Sequence, residues 1–179
     1  MEDDKKILKD SLARPERFGI IYEKYHDKIF SHIYKLTQDI HITEDLTEET
    51  FLKVIENRRR IIKADAPFEN YIYRIATNVT LNFFRRSKVK TKTYDKLRSK
   101  EKVKNSLQDS SGSEEELKDA IQKLPEQERV CIIMYYAENK KLSEIAFILG
   151  QSVPVISRIL KKAKKDLREI LRKNSDGKL

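Results

Sequence analysis

The chain has 179 residues, a single cysteine and a formal net charge of +9. One cysteine excludes an intrachain disulfide and fits a reducing compartment, and a pI near 9.4 favours a polyanionic partner. The N-terminal MEDDKKILKD lacks the apolar segment of a signal peptide, and no apolar run reaches the ~18 residues of a membrane span. We therefore expect a cytoplasmic protein.

Residues 10–87 predict a first helical module. Apolar side chains recur there every three or four positions in three stretches, which is the spacing of a helix with one buried face. The stretches cover residues 18–36, 46–55 and 72–83. Thr43 is a candidate N-cap for the second helix, and residues 57–67 predict its end and a loop, because Pro67 disfavours helix at the residue before it.

Residues 88–113 predict a flexible basic linker. The segment has many Lys and Ser residues and few large apolar ones, and it ends in DSSGS. It overlaps residues 80–104, a stretch that contains ten basic residues and two acidic ones.

Residues 114–174 predict a second module, with helices over 114–124, 126–139, 142–149 and 154–172. Ser113 and Glu116 have the spacing of a capping box. Gly150 suits a left-handed helix end, and Pro154 suits the first turn of the next helix. Two short helices of this kind, the second of them basic, are typical of a helix-turn-helix that places its second helix in the DNA major groove. Cys131 lies in an apolar run and is predicted to be a buried structural thiol.

Scarce glycine and proline, together with the absence of β-branched alternation, predict an all-α fold of two small domains. Their charges are segregated. Residues 38–50 carry five acids and no Lys or Arg, whereas residues 156–173 carry eight bases against two acids. Two basic blocks that both follow one acidic segment predict two nucleic-acid surfaces and one protein-binding surface. The alternative is that these charge runs are solvated faces.

The start of the last helix supplies candidates for reading duplex DNA. Short side chains and one arginine on its exposed face can reach base edges, and Arg158 is the best candidate for a bidentate contact to guanine. The lysines one turn further along are candidates for phosphate contacts, or else solvating lysines. The candidates are Ser152, Val155, Ser157, Arg158, Lys161, Lys162, Lys164 and Lys165.

The third helix of the first module combines aromatic, amide and basic side chains. Opening a duplex requires aromatic faces and a basic groove that capture unstacked bases, so this helix is a candidate for holding a single DNA strand. The candidates are Phe68, Tyr71, Tyr73, Arg74, Asn78, Asn82, Arg85 and Arg86. For Phe68 and Tyr71 the alternative is that they are only core residues.

Both modules resemble one family. FENYIYRIATN at residues 68–78, followed by Arg85-Arg86, is similar to the promoter-melting helix of sigma-70-family factors in the small extracytoplasmic-function group. EDLTEETFL at residues 44–52 resembles the acidic helix of that group, which docks on RNA polymerase. Residues 124–167, with Leu124-Pro125 and Leu149-Gly150, look like its promoter-reading domain. The sequence departs from the family pattern at Pro154-Val155 and at Tyr71, where a Gly-Thr pair and a Trp are usual.

The resemblance implies an alternative sigma factor, which binds core RNA polymerase, directs it to promoters and helps to melt the DNA. It implies that the first module reads the −10 element and the second the −35 element. It also implies docking on the clamp coiled coil of the largest polymerase subunit and on the β flap, and inhibition by an anti-sigma factor. The docking candidates are Asp45, Leu46, Glu48, Glu49, Phe51 and Leu52.

Two other classes of function fit the sequence less well. A free-standing helix-turn-helix regulator leaves the first module without a role, and no apolar heptad seam for a dimer is present. An enzyme is disfavoured because His26, His32 and His41 lack the spacing of metal ligands, Glu48 and Glu49 point to different faces of a helix, and no phosphate-binding glycine loop occurs. We therefore expect no catalytic residues, metal, cofactor or small-molecule substrate.

Overall fold

The computed structural model describes the backbone of residues 3–94 and 112–176, and the side chains of residues 3–87 and 114–174. The predicted all-α fold is confirmed, since these residues form eight α-helices and no strand. The helices are α1 (Asp4–Asp10), α2 (Phe18–Thr37), α3 (Ile40–Lys63), α4 (Phe68–Tyr94), α5 (Gly112–Gln122), α6 (Glu126–Ile132), α7 (Leu142–Leu149) and α8 (Val153–Asp176). Helices α1–α4 build the N-terminal module, and α5–α8 build the C-terminal module.

The N-terminal module is a bundle in which α2, α3 and α4 pack against one another and α1 packs across α2 and α3. Each long helix contributes the apolar stripe that its sequence predicts. Burying one such side chain fully stabilises the fold by roughly 1.5–3 kcal/mol. The buried members include Ile21, Tyr25, Ile29 and Ile33 from α2, Leu46, Phe51 and Val54 from α3, and Ile72, Ala76 and Val79 from α4.

Helix α3 is longer than predicted at both ends. Its N-cap is Asp39, whose carboxylate accepts a hydrogen bond from the Ile42 amide at 2.9 Å. The prediction that Thr43 is the N-cap is wrong. Thr43 is buried inside the helix, and its hydroxyl donates to the Asp39 carbonyl at 2.6 Å. At the other end, Ile61 continues the inner face and is buried, so the helix runs to Lys63 and the predicted loop shortens to residues 64–67.

Helix α4 also continues beyond the end that the sequence predicts. Its backbone is helical to Tyr94, past the predicted start of the linker at residue 88, because no glycine or proline interrupts residues 85–94. The remaining linker residues, 95–111, lie outside the described residues.

The C-terminal module departs from its predicted boundaries in two places. Helix α5 begins at Gly112, so Ser113 lies inside the helix rather than at the predicted N-cap. The predicted helix over 126–139 is α6 followed by a π-helical turn at Ile133–Ala137, in which the Glu138 amide donates to the Ile133 carbonyl at 3.1 Å. Cys131 is buried as predicted, and burial raises the pKa of its thiol to about 12.

The predicted helix-turn-helix is present. Gly150 ends α7 in the left-handed conformation with φ 63°, and the Gln151 amide donates to the Ala146 carbonyl at 2.9 Å. Helix α8 begins at Val153 and is bent by 100° from α7, within the range of helix-turn-helix motifs. Across the described part of the chain, no single helix has the length and apolar character to cross a membrane, and only the bent pair α7 and α8 passes on length and composition together.

We predict that Gly150→Ala lowers the free energy of unfolding by about 1–2 kcal/mol, because an L-residue is strained at positive φ. The control is Gly19→Ala in α2, where an added Cβ meets no atom within 4 Å and φ is helical. That substitution is expected to stabilise by roughly 0.5–1 kcal/mol. Urea unfolding monitored by circular dichroism measures both, and equal effects of the two substitutions would contradict the assignment of the turn.

Candidate nucleic-acid and polymerase interfaces

The first half of α8 presents the predicted DNA-reading side chains to solvent. Its inner face, Ile156, Leu160 and Ala163, is buried against the rest of the C-terminal module. The opposite face is therefore exposed, and Arg158 lies on it with the basic residues that follow. Ser152, Ser157, Arg158, Lys161, Lys162, Lys164 and Lys165 are exposed, and Val155 is half-buried. Arg158, Lys161, Lys162, Lys164, Lys165 and Arg168 line one shallow basic depression.

Lys162 has an additional role. Its ammonium donates to the Glu128 carboxylate of α6, which is only 7% exposed, and to Asp166 at 3.1 Å. The hydrogen bond that Lys162 donates to Glu128 raises the pKa of its ammonium. The other oxygen of Glu128, Oε2, is buried and has no hydrogen-bond partner among the described residues. Lys162 therefore ties α8 to α6 by neutralising a buried carboxylate.

The later part of the described α4 presents a polar and basic face. Asn78, Asn82, Arg85 and Arg86 are exposed, and the Arg85 guanidinium donates to the Asn82 side-chain oxygen at 3.0 Å. These four side chains have the predicted helical spacing and are accessible to a nucleic-acid strand.

Two of the predicted strand-capturing aromatics are core residues in this structure. Phe68 is 3% exposed, and its ring packs edge-on against Tyr25 with centroids 5.2 Å apart. Tyr73 is 6% exposed and packs edge-on against His32 at 5.2 Å, and burial raises the pKa of its hydroxyl. Neither ring offers a free face to a base. Both aromatic residues serve the hydrophobic core, which is the alternative that the sequence left open for Phe68.

Tyr71 and Arg74 are half-buried beneath α7. The Tyr71 ring meets Phe147 edge-on with centroids 5.0 Å apart, and the Arg74 guanidinium lies 5.4 Å from the centre of the same ring. The helix-turn-helix thus covers two of the predicted strand-capturing side chains.

The predicted polymerase-docking residues of α3 fall into two groups, one exposed to solvent and one buried in the core. Asp45, Glu48 and Leu52 are exposed, Leu52 to 60%, and Glu49 forms a pair with Lys53 at 3.3 Å within the helix. Leu46 and Phe51 lie in the core, where Phe51 packs on Tyr22 with centroids 4.7 Å apart, so they support the helix and present no surface.

A set of contacts between the two modules has no counterpart in the sequence pattern. His32 is fully buried and donates from Nδ1 to the Glu138 carboxylate at 2.9 Å, and Lys140 donates to Glu69 at 2.8 Å. The partners in these pairs are 106 and 71 positions apart. No local pattern marks such pairs, because periodicity reports which face is buried but not what covers it.

We predict that Lys162→Gln lowers the urea midpoint of unfolding clearly, whereas Lys161→Gln leaves it near that of the wild type. The first substitution leaves the buried Glu128 carboxylate without its counterion, and the second removes a solvated charge. Glu128→Gln added to Lys162→Gln should restore part of the lost stability. Equal midpoints for the two single variants would show that the contact with Glu128 is not structural.

Two parts of the chain match known protein families. Residues 21–89 match the family Sigma-70 region 2, and residues 114–167 match the family Sigma-70, region 4. The ECF RNA polymerase sigma factor SigW of Bacillus subtilis is 26% identical over 94% of this chain and 96% of its own length. SigE of Mycolicibacterium smegmatis is 24% identical over 93% of this chain, which spans 65% of SigE.

Two solved structures share the fold. The sigma factor RpoE of Bartonella quintana, solved with the anti-sigma factor NepR, has a TM-score of 0.69 at 18% identity, over 87% of this chain and 96% of RpoE. CnrH, solved with the cytosolic domain of CnrY, has a TM-score of 0.67 at 15% identity, over 96% of this chain and 98% of CnrH. With the two family regions in their expected order on the two modules, the chain belongs to the sigma-70 family, as a sigma factor of the extracytoplasmic-function group that directs RNA polymerase to promoters.

Proposed function

We propose that three separate surfaces divide the work of promoter recognition. The exposed acidic face of α3 docks on core polymerase, the polar face of α4 holds the melted −10 strand, and the basic face of α8 reads the −35 duplex. The observation that carries the proposal is the segregation of charge: Asp45 and Glu48 lie on one exposed helix face, and the basic side chains lie on two others. The chain itself performs no catalytic step.

At the −35 element, the start of α8 enters the major groove. Arg158 is exposed on this face and supplies a bidentate donor for guanine, while Ser152 and Ser157 make short contacts nearby. Lys161, Lys164 and Lys165 contact phosphates, which sets affinity and salt dependence rather than sequence preference.

At the −10 element, α4 holds the non-template strand after it leaves the duplex. The exposed Asn78 and Asn82 amides can hydrogen-bond base edges, and Arg85 and Arg86 neutralise the backbone. Tyr71 supplies the ring face for a base once α7 no longer covers it. Phe68 and Tyr73 support this helix from the core.

The partner on the polymerase is a basic surface, which we assign to the clamp coiled coil of the largest subunit. Exposed acids flanking the apolar Leu52 suit such a surface, because charge steers the encounter and the apolar side chain supplies contact area. We further propose that the C-terminal module contacts the β flap and that an anti-sigma factor inhibits the chain, as the anti-sigma factor NepR is bound to RpoE in one of the similar solved structures.

The test of the proposed function is run-off transcription from fragmented genomic DNA with bacterial core polymerase, with and without the chain. Discrete start sites that appear only with the chain support the proposal. If no starts appear while the chain alone shifts duplex DNA, the free-standing regulator is the better account.

We predict that Asp45→Lys with Glu48→Lys weakens binding to core polymerase by at least about a hundredfold, because like charges then face each other across the interface. The matched control is Glu23→Lys with Asp27→Lys on α2, two exposed acids with the same change in net charge. Binding is measured by fluorescence anisotropy with labelled chain. Equal losses for both variants would argue against docking through α3.

We also predict that Asn78→Ala with Asn82→Ala slows the formation of open complexes on duplex promoters. A pre-melted −10 bubble should recover part of the activity, because melting no longer draws on the lost contacts. Permanganate reactivity of unpaired thymines measures the opened region. The control is Asn57→Ala, an exposed helical asparagine on α3 whose amide donates to the Lys53 carbonyl at 2.8 Å. No difference from this control would remove the two asparagines from the mechanism.

A further inference from the structure

The first turn of α8 exposes apolar side chains at the end of a strongly basic helix. Its first three residues are Val153, Pro154 and Val155. Val153 is 40% exposed, Pro154 is exposed and Val155 is half-buried, whereas the buried face of the helix starts at Ile156. A single apolar side chain on a surface is ordinary, but a run of three calls for a functional reason.

The backbone holds this turn in a fixed position. Before it, Gly150 has its left-handed conformation, and the Gln151 amide donates to the Ala146 carbonyl at 2.9 Å. After it, the Ile156 amide donates to the Ser152 carbonyl at 3.1 Å, and the proline ring between them fixes its own φ. The three apolar residues are therefore presented on a rigid turn, which suits recognition of a group of definite shape.

The same turn carries no charge. No ionisable side chain occurs between Gln151 and Ser157, and the cations that line the basic depression of α8 begin at Arg158. Phosphates are contacted by cationic and polar side chains and by backbone N–H groups, and Pro154 lacks the N–H. The first turn is therefore poorly suited to the phosphate backbone, and we infer that it faces base edges instead.

The spacing to Arg158 places the apolar turn beside the proposed guanine contact. Pro154 precedes Arg158 by four residues, so both lie on one face of the helix, about 6 Å apart along its axis. Successive bases are separated by ~3.4 Å, so a base edge beside Pro154 lies within about two steps of that guanine. Among the groups that base pairs present in the major groove, the apolar one is the C5-methyl of thymine.

We propose that the first turn of α8 selects a thymine in the −35 element through its C5-methyl group, with Pro154 as the main contact and Val153 and Val155 beside it. This inference rests on the proposed role of α8 in reading the −35 duplex. Withdrawal of the methyl group from water favours binding. A cytosine at the same place would lose the hydration of its amino group against apolar side chains that accept no hydrogen bond. Thymine is therefore preferred without any donor or acceptor on the protein.

The test uses the full chain with bacterial core polymerase on a promoter found by run-off transcription. Each thymine of the −35 element is replaced in turn by uracil, which lacks only the methyl group, and affinity is measured by competition with labelled promoter. At one position we expect uracil to lower the affinity about fourfold, the effect of leaving one methyl-sized group in water. At that position 5-methylcytosine should bind about fourfold more tightly than cytosine. If every thymine tolerates uracil, the proposal is overturned.

Variants of the chain decide whether the first turn of α8 senses the methyl group. Pro154→Ala removes the ring and Val153→Thr exchanges a methyl for a hydroxyl of similar shape, and both should bring the thymine-to-uracil affinity ratio towards one. The matched control is Pro125→Ala, an exposed proline before α6, which should keep the full ratio. Each ratio compares two DNAs with the same variant, so a partial loss of folding cancels. A full uracil effect in both α8 variants would assign it to DNA shape and overturn the contact.

The guanine assigned to Arg158 separates failure of this inference from failure of the proposed function. Replacing −35 guanines by 7-deazaguanine removes the N7 acceptor, which should weaken binding by the wild type but not by Arg158→Ala. If this coupling is found and no thymine is sensitive to uracil, α8 reads the −35 element and only the methyl contact is wrong. If neither base analogue changes the affinity, direct reading by α8 fails and the methyl contact fails with it.

Discussion

The structure depends on α4, which is packed on two sides at once. Ile72, Ala76 and Val79 bury one side in the N-terminal core, and Tyr71 and Arg74 lie under α7 on another. The helix has 27 residues, which corresponds to about 40 Å. A helix of that length can pack in the core, contact the other module and present a nucleic-acid surface, because the residues for each lie on different faces and different turns.

Hydrogen bonds between buried polar groups fix the position of α4 relative to α2 and to the C-terminal module. The Thr77 hydroxyl is hydrogen-bonded both to the Tyr73 carbonyl at 2.8 Å and to His32 Nε2 at 3.0 Å, and the other nitrogen of His32 binds Glu138. Apolar packing tolerates small shifts, whereas a buried polar group left unpaired costs about 1–3 kcal/mol. The apolar contact of Tyr71 with Phe147 brings the modules together, and the chain of hydrogen bonds selects one register for them.

The sequence was sufficient for features that arise from short-range rules. The stripes of α2–α4, the turn at Gly150 and the exposed face of α8 follow from periodicity and from backbone preferences, and all are present. Helix ends were less predictable: Asp39 and Thr43 are both acceptable caps by residue type, and only the burial of Thr43 decides between them. Aromatic roles were equally ambiguous, because Phe68 and Tyr71 share a pattern, yet one faces the core and the other faces α7. The pairs between the two modules, His32 with Glu138 and Lys140 with Glu69, had no local signal at all.

The basic face of α8 shows why charge counts overstate a nucleic-acid surface. A helix that both builds a small module and binds DNA must divide its cations between these tasks. Glu128 is buried in α6, and an isolated buried carboxylate is strongly unfavourable, so Lys162 is held beside it. Each phosphate neutralised by a cation contributes about −0.9 to the slope of log affinity against log salt. The salt dependence of −35 binding should therefore reflect Arg158 and the lysines without a buried partner, with little contribution from Lys162.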